Sequence, residues 1–270
     1  SARRRNQMDL IADFALPLPV AVISQMLGIP KREQDKFHRW SNAIVASQSS
    51  KFGALKAIPS VLSFLRYIRR LVRLRQVHPE DDLTTAMVQA EEAGDRMNAD
   101  EMLAMIFLLL IAGHETTVNL IGNGMLALFT HPEQMEKLLG DSSLLASAVE
   151  EMLRFDSPVE MATERYTTED VEFSPAGARV HVVIASANRD EQQFERADQF
   201  DITRQNNRHL SFGMGTHYCL GAPLARLEGQ IAITALLRHM SKLRLAVPYN
   251  QIRWRPGLVL RGVKALPVEF

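Results

Sequence analysis

Residues 212–226 read FGMGTHYCLGAPLAR and carry the most informative pattern in the chain. Three glycines within nine residues allow backbone conformations that other residues avoid, and they let a flat ligand lie against the main chain. Cys219 comes shortly before a helix predicted to begin at Pro223 or Leu224, where free amide groups and the positive end of the helix dipole stabilise a thiolate. The stretch therefore predicts a rigid loop, a thiolate and then a helix.

Cys219 is the only cysteine in the chain, and two interpretations of it compete. A solitary cysteine is most often a small, buried and unreactive residue. The glycine-rich loop around Cys219 favours a ligand instead. A single thiol cannot form a disulfide within the chain, which is compatible with a reducing compartment.

Composition describes an ordinary globular protein of 270 residues, 46% hydrophobic and 23% charged. The 31 basic and 31 acidic residues balance, so no global field favours nucleic acid or an anionic membrane. The most apolar run, Met102–Gly113, is shorter than the roughly 20 residues that span a bilayer. Acidic residues and prolines interrupt the leader-like start. We therefore expect a cytoplasmic protein that binds neither nucleic acid nor a membrane.

The order of patterns predicts one domain, mainly α with a small β region. Residues 1–157 are expected to be helical, residues 158–221 to hold strands, a meander and the cysteine loop, and residues 222–270 to hold a last long helix and short strands. The arginines of the Pro59–Val77 helix are expected to form a solvated basic face. The expected helices before residue 158 are Asp9–Leu16, Leu18–Leu27, Lys31–Ser47, Pro59–Val77, a long one from Asn98 or Asp100 to Thr130, Pro132–Leu139 and Ser143–Arg154. A hairpin is expected from Val171–Phe173 and Arg179–Ser186, and the last long helix is expected to end near Lys242.

A polar segment, AGHETT at residues 112–117, interrupts the long apolar helix. Burying such groups costs free energy unless they find partners or water. Gly113 costs about 1 kcal/mol relative to alanine, and it leaves room for a flat ring or a small molecule. Taken alone, the segment is equally compatible with a polar notch in a packed helix.

The cysteine loop resembles that of the cytochromes P450, the haem-thiolate monooxygenases. It matches their pattern Phe-Gly-x-Gly-x-His-x-Cys-x-Gly, followed by Leu-Ala-Arg. The resemblance implies a haem b cofactor (iron protoporphyrin IX) with Cys219 as the iron ligand, Phe212 packed beside the thiolate and His217 near a haem propionate. It also places Gly213 and Gly221 among the cofactor-binding residues.

The polar segment of the long helix resembles the family's Ala-Gly-x-Glu-Thr-Thr pattern. This resemblance implies that Glu115 and Thr116 form an acid–alcohol pair that relays protons on the oxygen-binding side of haem. It also implies that Ala112 and Gly113 lie against the cofactor, with the haem held between this helix and the cysteine loop.

Further positions resemble the family's supporting residues. Glu151 and Arg154 match its Glu-x-x-Arg, which implies a buried structural pair below the haem. Arg165 matches its propionate-binding arginine, and His209 is a weaker candidate for the same role. Gln199 stands where the family commonly has an arginine or histidine, so we expect a neutral hydrogen bond to complete the pair.

The resemblance implies a soluble, bacterial-type monooxygenase that inserts one oxygen atom from O2 into a small apolar organic substrate. Its electrons would come from a ferredoxin- or flavin-type donor. The family's N-terminal third has no counterpart in residues 1–16. We therefore expect an open haem flank, weak or absent haem retention, poor coupling of electrons to product, and dimerisation or recruitment of a partner chain. Two alternatives remain: a truncated, non-catalytic haem- or ligand-binding remnant, and a helical interaction domain without haem.

Overall fold

The computed structural model describes residues 6–47, 53–92, 98–239 and 242–270. These residues are mainly helical with short strands, as the sequence predicts. The α-helices are α1 (Pro17–Met26), α2 (Lys31–Ser47), α3 (Gly53–Val77), α4 (Leu83–Glu92), α5 (Ala99–Thr130), α6 (Pro132–Gly140), α7 (Leu145–Phe155), α8 (Ile184–Ala187) and α9 (Ala222–His239). The strands are β1 (Gln7–Asp9), β2 (Arg165–Tyr166), β3 (Arg179–Val180), β4 (Arg244–Leu245) and β5 (Pro267–Glu269).

The chain divides into two compact units. The first contains Ser1–Ala15 and Thr116–Phe270, and the second contains Leu16–Glu115. The division falls within α5, so residues of this one helix belong to both units.

The Leu16–Glu115 unit has a core of apolar side chains from α1 to α4 and from the first half of α5. Phe37 of α2 and Phe64 of α3 are fully buried, and their ring centroids lie 5.7 Å apart. Ile106 and Leu110 of α5 complete this core. The apolar residues recur three or four positions apart, so each amphipathic helix buries one face.

A buried ion pair fixes one end of this unit. Arg75 is 3% exposed, forms a salt bridge with Asp82, and donates a hydrogen bond to the carbonyl of Gly28 at 3.0 Å. Gly28 has a φ of +71°, and a side chain there would collide with Asp82. The expectation of a fully solvated arginine face is therefore wrong at Arg75, because a buried carboxylate offsets the cost of burying its charge.

In the first unit, the second half of α5 packs closely against its neighbours. A side chain at Gly124 would meet the sulfur of Met152 in α7, and one at Gly229 of α9 would lie 3.1 Å from Leu120. Glycine at these contacts lets the helices approach each other. Ile121 is one of the fully buried residues of this core.

The two small sheets are antiparallel. β5 lies between β1 and β4, with Met8 and Leu245 both opposite Val268. β2 pairs with β3, so that Arg165 lies opposite Val180.

The arms of the hairpin in the structure differ from the predicted ones. Val171 forms only an isolated bridge with Ser174, and residues 184–187 form α8 instead of a strand. Thr167 fixes the observed pairing, because its backbone exchanges hydrogen bonds with Gly177 and Ala178 while its hydroxyl donates to Pro175.

Some helix limits also differ from the expectation. The stretch predicted as a helix from Asp9 to Leu16 begins as β1, because residues 7–9 pair with residues 267–269 at the far end of the chain. A π-helix follows at Ile11–Ala15. α3 begins at Gly53 and contains Pro59, and α4 was not predicted.

Among the described residues, α5 is the one helix long and apolar enough to cross a membrane, judged by length and composition alone. Its most apolar window has a mean hydropathy of 1.6, and 53% of that window is buried. A core helix of a soluble protein passes the same test, so the finding is weak evidence for a membrane span. The bounds of α5, Ala99–Thr130, confirm the helix predicted from Asn98 or Asp100 to Thr130, which is longer than the apolar run Met102–Gly113 within it.

Candidate functional site

The cysteine loop, residues 212–221, combines a tight backbone with an open surface. Gly213 and Gly215 have φ angles of +72° and +75°, which glycine adopts without strain. The Cys219 amide donates to the Phe212 carbonyl at 2.9 Å, and this bond closes the loop. α9 begins at Ala222, three residues after the cysteine.

The sulfur of Cys219 lies at the protein surface. Cys219 is a free, exposed thiol, and all residues from Gly213 to Gly221 are exposed. The nearby apolar side chains of Met214 and Leu220 are 78% and 87% exposed. A Cβ atom at Gly221 would lie 3.9 Å from the sulfur, in ordinary van der Waals contact with it. The loop therefore presents the Cys219 sulfur, a soft donor atom, near two exposed apolar side chains.

The polar segment of α5 contains both buried and exposed residues. His114 is 1% exposed, and its Nδ1 lies 2.6 Å from the Leu110 carbonyl one turn earlier. Glu115 is 7% exposed and Thr116 is half-buried. Ala112 and Gly113 are exposed. The buried His114 thus separates the two small exposed residues from the acid Glu115 and the alcohol Thr116.

Glu151 and Arg154 form a fully buried ion pair in α7. The guanidinium donates to both carboxylate oxygens of Glu151 at 2.8 Å, and neither side chain is exposed to solvent. Arg154 also donates to the carbonyls of Asn188 and Ala197 at 2.8 Å and to that of Gln199 at 3.0 Å. One guanidinium therefore connects α7 with the irregular segment between α8 and the cysteine loop.

The third charged member of this cluster is Arg204. Its Nε donates to Glu151 at 3.1 Å, and its side chain is only 10% exposed. The expectation of a neutral bond from the Gln199 side chain is therefore wrong, since Gln199 contributes its backbone carbonyl. Asn207 also donates to Glu151, at 2.9 Å.

The three residues predicted to contact the haem propionates lie in different settings. Arg165 is exposed on β2, and its guanidinium contacts Thr163 and the Glu164 carbonyl. His209 has a side chain only 2% exposed, and its Nε2 lies 3.1 Å from a carboxylate oxygen of Glu150. His217 is exposed within the cysteine loop.

α9 contains a buried acid, Glu228, that was not among the predicted site residues. Glu228 is 5% exposed, in an apolar stretch of the helix. Burial raises its pKa to about 7, although a hydrogen bond from Thr117 opposes this effect. The local signal was an isolated glutamate between apolar residues, which is also common on amphipathic helices.

Replacing Glu228 with glutamine should change how stability depends on pH. The unfolded acid titrates near 4.5 and the folded one near 7, so the folded state holds the extra proton between these values. Stability should therefore fall as pH rises from about 4.5 to 7, by about 3 kcal/mol in total. The Glu228→Gln chain should lack this decline.

Urea unfolding of both chains at pH 5 and pH 8 measures the effect. Glu136→Gln, at an exposed position in α6, is the matched control and should keep the parent slope. Equal pH slopes for the Glu228→Gln chain and its parent would refute the assignment.

Comparison with known proteins agrees with this fold and loop. The cytochrome P450 family model matches residues 20–243. Cytochrome P450 107B1 of Saccharopolyspora erythraea is 45% identical over 98% of this chain and 65% of its own length. The chain belongs to the cytochrome P450 family. It spans about two thirds, 65–66%, of the length of the curated relatives first matched.

Solved structures give the same result. The polyketide synthase cytochrome P450 PksS of Bacillus subtilis has a TM-score of 0.93 at 43% identity, covering 99% of this chain and 69% of that one. The myxobacterial CYP267B1, solved in complex with myristic acid, has a TM-score of 0.92 at 44% identity, with coverages of 100% and 68%.

The cysteine loop fits the haem that this family binds. A thiolate is the axial ligand that cytochromes P450 use, and the exposed Cys219 is the residue whose sulfur would hold the haem iron. Residues 213–221 are exposed, and the side chains of Met214 and Leu220 offer apolar surface to a flat macrocycle.

Proposed function

We propose that this chain is the catalytic part of a haem-dependent monooxygenase, which inserts one oxygen atom from O2 into an apolar organic substrate and reduces the other to water. The observation that carries the proposal is the exposed Cys219 thiol, three residues before α9, in a chain of the cytochrome P450 family. We propose that the two compact units are parts of one domain of that family, since the family match extends over both.

The proposed cofactor is haem b, with Cys219 as its iron ligand. Phe212, the first residue of the loop, would pack its ring beside the thiolate. His217 and Arg165 are proposed for the propionates, because a basic side chain pairs well with a carboxylate. His209 is the weaker candidate, since its side chain is 2% exposed and its Nε2 lies 3.1 Å from a Glu150 oxygen. The small residues proposed to lie against the macrocycle are Ala112, Gly113, Gly213 and Gly221.

Haem ligated by a thiolate would supply the activation of oxygen, because the thiolate pushes electron density towards iron. The proposed work of the protein is to hold the sulfur and to control protons. Glu115 is a buried acid that can exchange a proton with water. The hydroxyl of the neighbouring Thr116 can donate one hydrogen bond while it accepts another. Proton delivery from this pair would favour product formation over release of peroxide.

Replacing Thr116 with alanine should uncouple electron consumption from product formation. Removing the hydroxyl leaves the fold intact but breaks the proposed proton path, so peroxide should increase at the expense of product, by about tenfold or more. Parallel assays of NAD(P)H consumption, peroxide and product measure the ratio.

Thr130→Ala is the matched control, because Thr130 ends the same helix and its hydroxyl bonds only to neighbours at residues 126, 127 and 131. In the Thr130→Ala chain, the ratio of product formed to NAD(P)H consumed should equal that of the parent. If Thr116→Ala couples as well as the parent does, the relay role is wrong.

The substrate is proposed to be a small apolar organic molecule. The myristic acid complex of CYP267B1 supports a chain-like apolar ligand as a first candidate. The proposed electron donor is a ferredoxin- or flavin-type protein, and the proposed location is the cytoplasm.

Incubation with 18O2, a ferredoxin with its reductase, and myristic acid tests the activity. One labelled oxygen atom in the product supports the monooxygenase. A chain that binds haem but consumes no electrons in response to substrate would instead support the second candidate, a non-catalytic haem- or ligand-binding protein. The length comparison keeps this candidate open, because the chain spans 65% of its relative from Saccharopolyspora erythraea.

A further inference from the structure

Arg226 lies at the centre of a contact network beside the cysteine loop. It belongs to α9, within the sequence Leu-Ala-Arg that follows the cysteine motif, and none of the roles described above uses it. Its Nε and one terminal nitrogen donate to the two carboxylate oxygens of Glu150 at 2.7 and 2.9 Å. This bidentate geometry is the strongest form of an arginine–carboxylate pair.

The remaining contacts of Arg226 reach both flanks of the loop. Its other terminal nitrogen donates to the Tyr218 hydroxyl at 3.1 Å, next to Cys219. Its guanidinium carbon lies 4.6 Å from the centroid of the Phe212 ring, within the range of a cation–π contact. The Phe212 carbonyl in turn accepts the hydrogen bond from the Cys219 amide.

Glu150 anchors this network to α7. Partial burial raises the pKa of Glu150, but hydrogen bonds from Arg226 and His209 outweigh it and bring the pKa to about 2. The carboxylate is therefore ionised near neutral pH. His209 contacts the same oxygen of Glu150 that receives one of the Arg226 bonds, so a third group holds the anchor in place.

The conformation of the cysteine loop depends on contacts with residues outside it. All of its residues from Gly213 to Gly221 are exposed, so a few backbone hydrogen bonds and contacts from neighbouring side chains hold its shape. We propose that Arg226, anchored by Glu150, is a positioning residue that holds Phe212 and Tyr218 and thereby fixes the Cys219 sulfur for haem ligation. This inference deepens the proposed function and rests on it for the role of haem.

Hydrogen exchange on the whole 270-residue chain without haem tests the support directly. Arg226→Lys keeps the charge but loses the planar fork, so it cannot bond both Glu150 oxygens, reach Tyr218 and stack on Phe212 at once. Amides in peptides covering residues 212–221 should exchange about tenfold faster, as expected for the loss of a charge-assisted bidentate contact. Glu150→Gln, which keeps the shape of the anchor, should give a smaller increase in the same peptides.

Arg244→Lys is the matched control, since Arg244 forms an exposed pair with Glu269 in the β4–β5 sheet. It should leave exchange in the loop unchanged. Exchange outside the loop should be equal in all chains, which separates positioning from a general loss of stability. Unchanged loop exchange in both Arg226→Lys and Glu150→Gln overturns the proposal.

Haem-loaded chains supply the second readout. The Arg226→Lys chain should lose the thiolate-type spectrum of its reduced, carbon monoxide-bound form about tenfold faster than the parent. If loop exchange responds but the parent chain shows no thiolate-type spectrum, the support is real and the proposed function fails. If the parent has that spectrum and the variant keeps it equally long, Arg226 does not position the sulfur.

Discussion

The Arg154→Ala chain should be less stable than its parent by about 3–5 kcal/mol, the largest stability loss expected from a single substitution in this protein. The substitution removes a guanidinium that bonds Glu151 twice and three backbone carbonyls, and all of these bonds except the one to Gln199 are fully buried. The Glu151 carboxylate would remain fully buried with fewer cations nearby, and the Asn188 and Ala197 carbonyls would lose the Arg154 donor.

Urea unfolding of the two chains measures the loss. Arg244→Ala is the control, because its side chain is 69% exposed and such surface pairs contribute little. Arg204→Ala should fall between the two, since Arg204 contacts Glu151 through one nitrogen at 3.1 Å. An Arg154→Ala chain within 1 kcal/mol of the parent would show that the cluster does not hold the irregular segment.

Local signals in the sequence predicted the long helix well. Asn98 accepts hydrogen bonds from the amides of Asp100 and Glu101 at 3.0 Å, and the Glu101 carboxylate accepts one from the Asn98 amide. This reciprocal cap involves residues within four positions of each other, so the sequence shows it directly. The cysteine loop was predictable for the same reason, because its glycines and the following helix are contiguous.

Contacts between distant residues were not predictable in this way. Arg204 completes the cluster on Glu151 from 53 positions away, and no local pattern distinguishes it from other arginines. β1 has three residues and pairs with β5 at the opposite end of the chain, so it had too few positions for an alternation to appear. The hairpin arms were misplaced because side-chain bonds of Thr167 fix the register, whereas β propensity favoured Val171–Phe173.

Cys219→Ser should abolish thiolate ligation of haem altogether. A serine hydroxyl has the same shape but is not ionised near neutral pH, so it cannot supply the electron density that a thiolate gives to iron. The loop itself should survive, because the Cys219 contact that closes it comes from the backbone amide. The change therefore isolates the chemistry of the sulfur from the fold.

The spectrum of the reduced, carbon monoxide-bound protein after haem titration tests the central claim most directly. We predict that the 270-residue chain takes up haem and shows the red-shifted band of a thiolate ligand, and that the Cys219→Ser chain, equally folded by circular dichroism, shows none. A parent chain without that band, or a Cys219→Ser chain in which it persists unchanged, would contradict the assignment of Cys219 as the haem ligand.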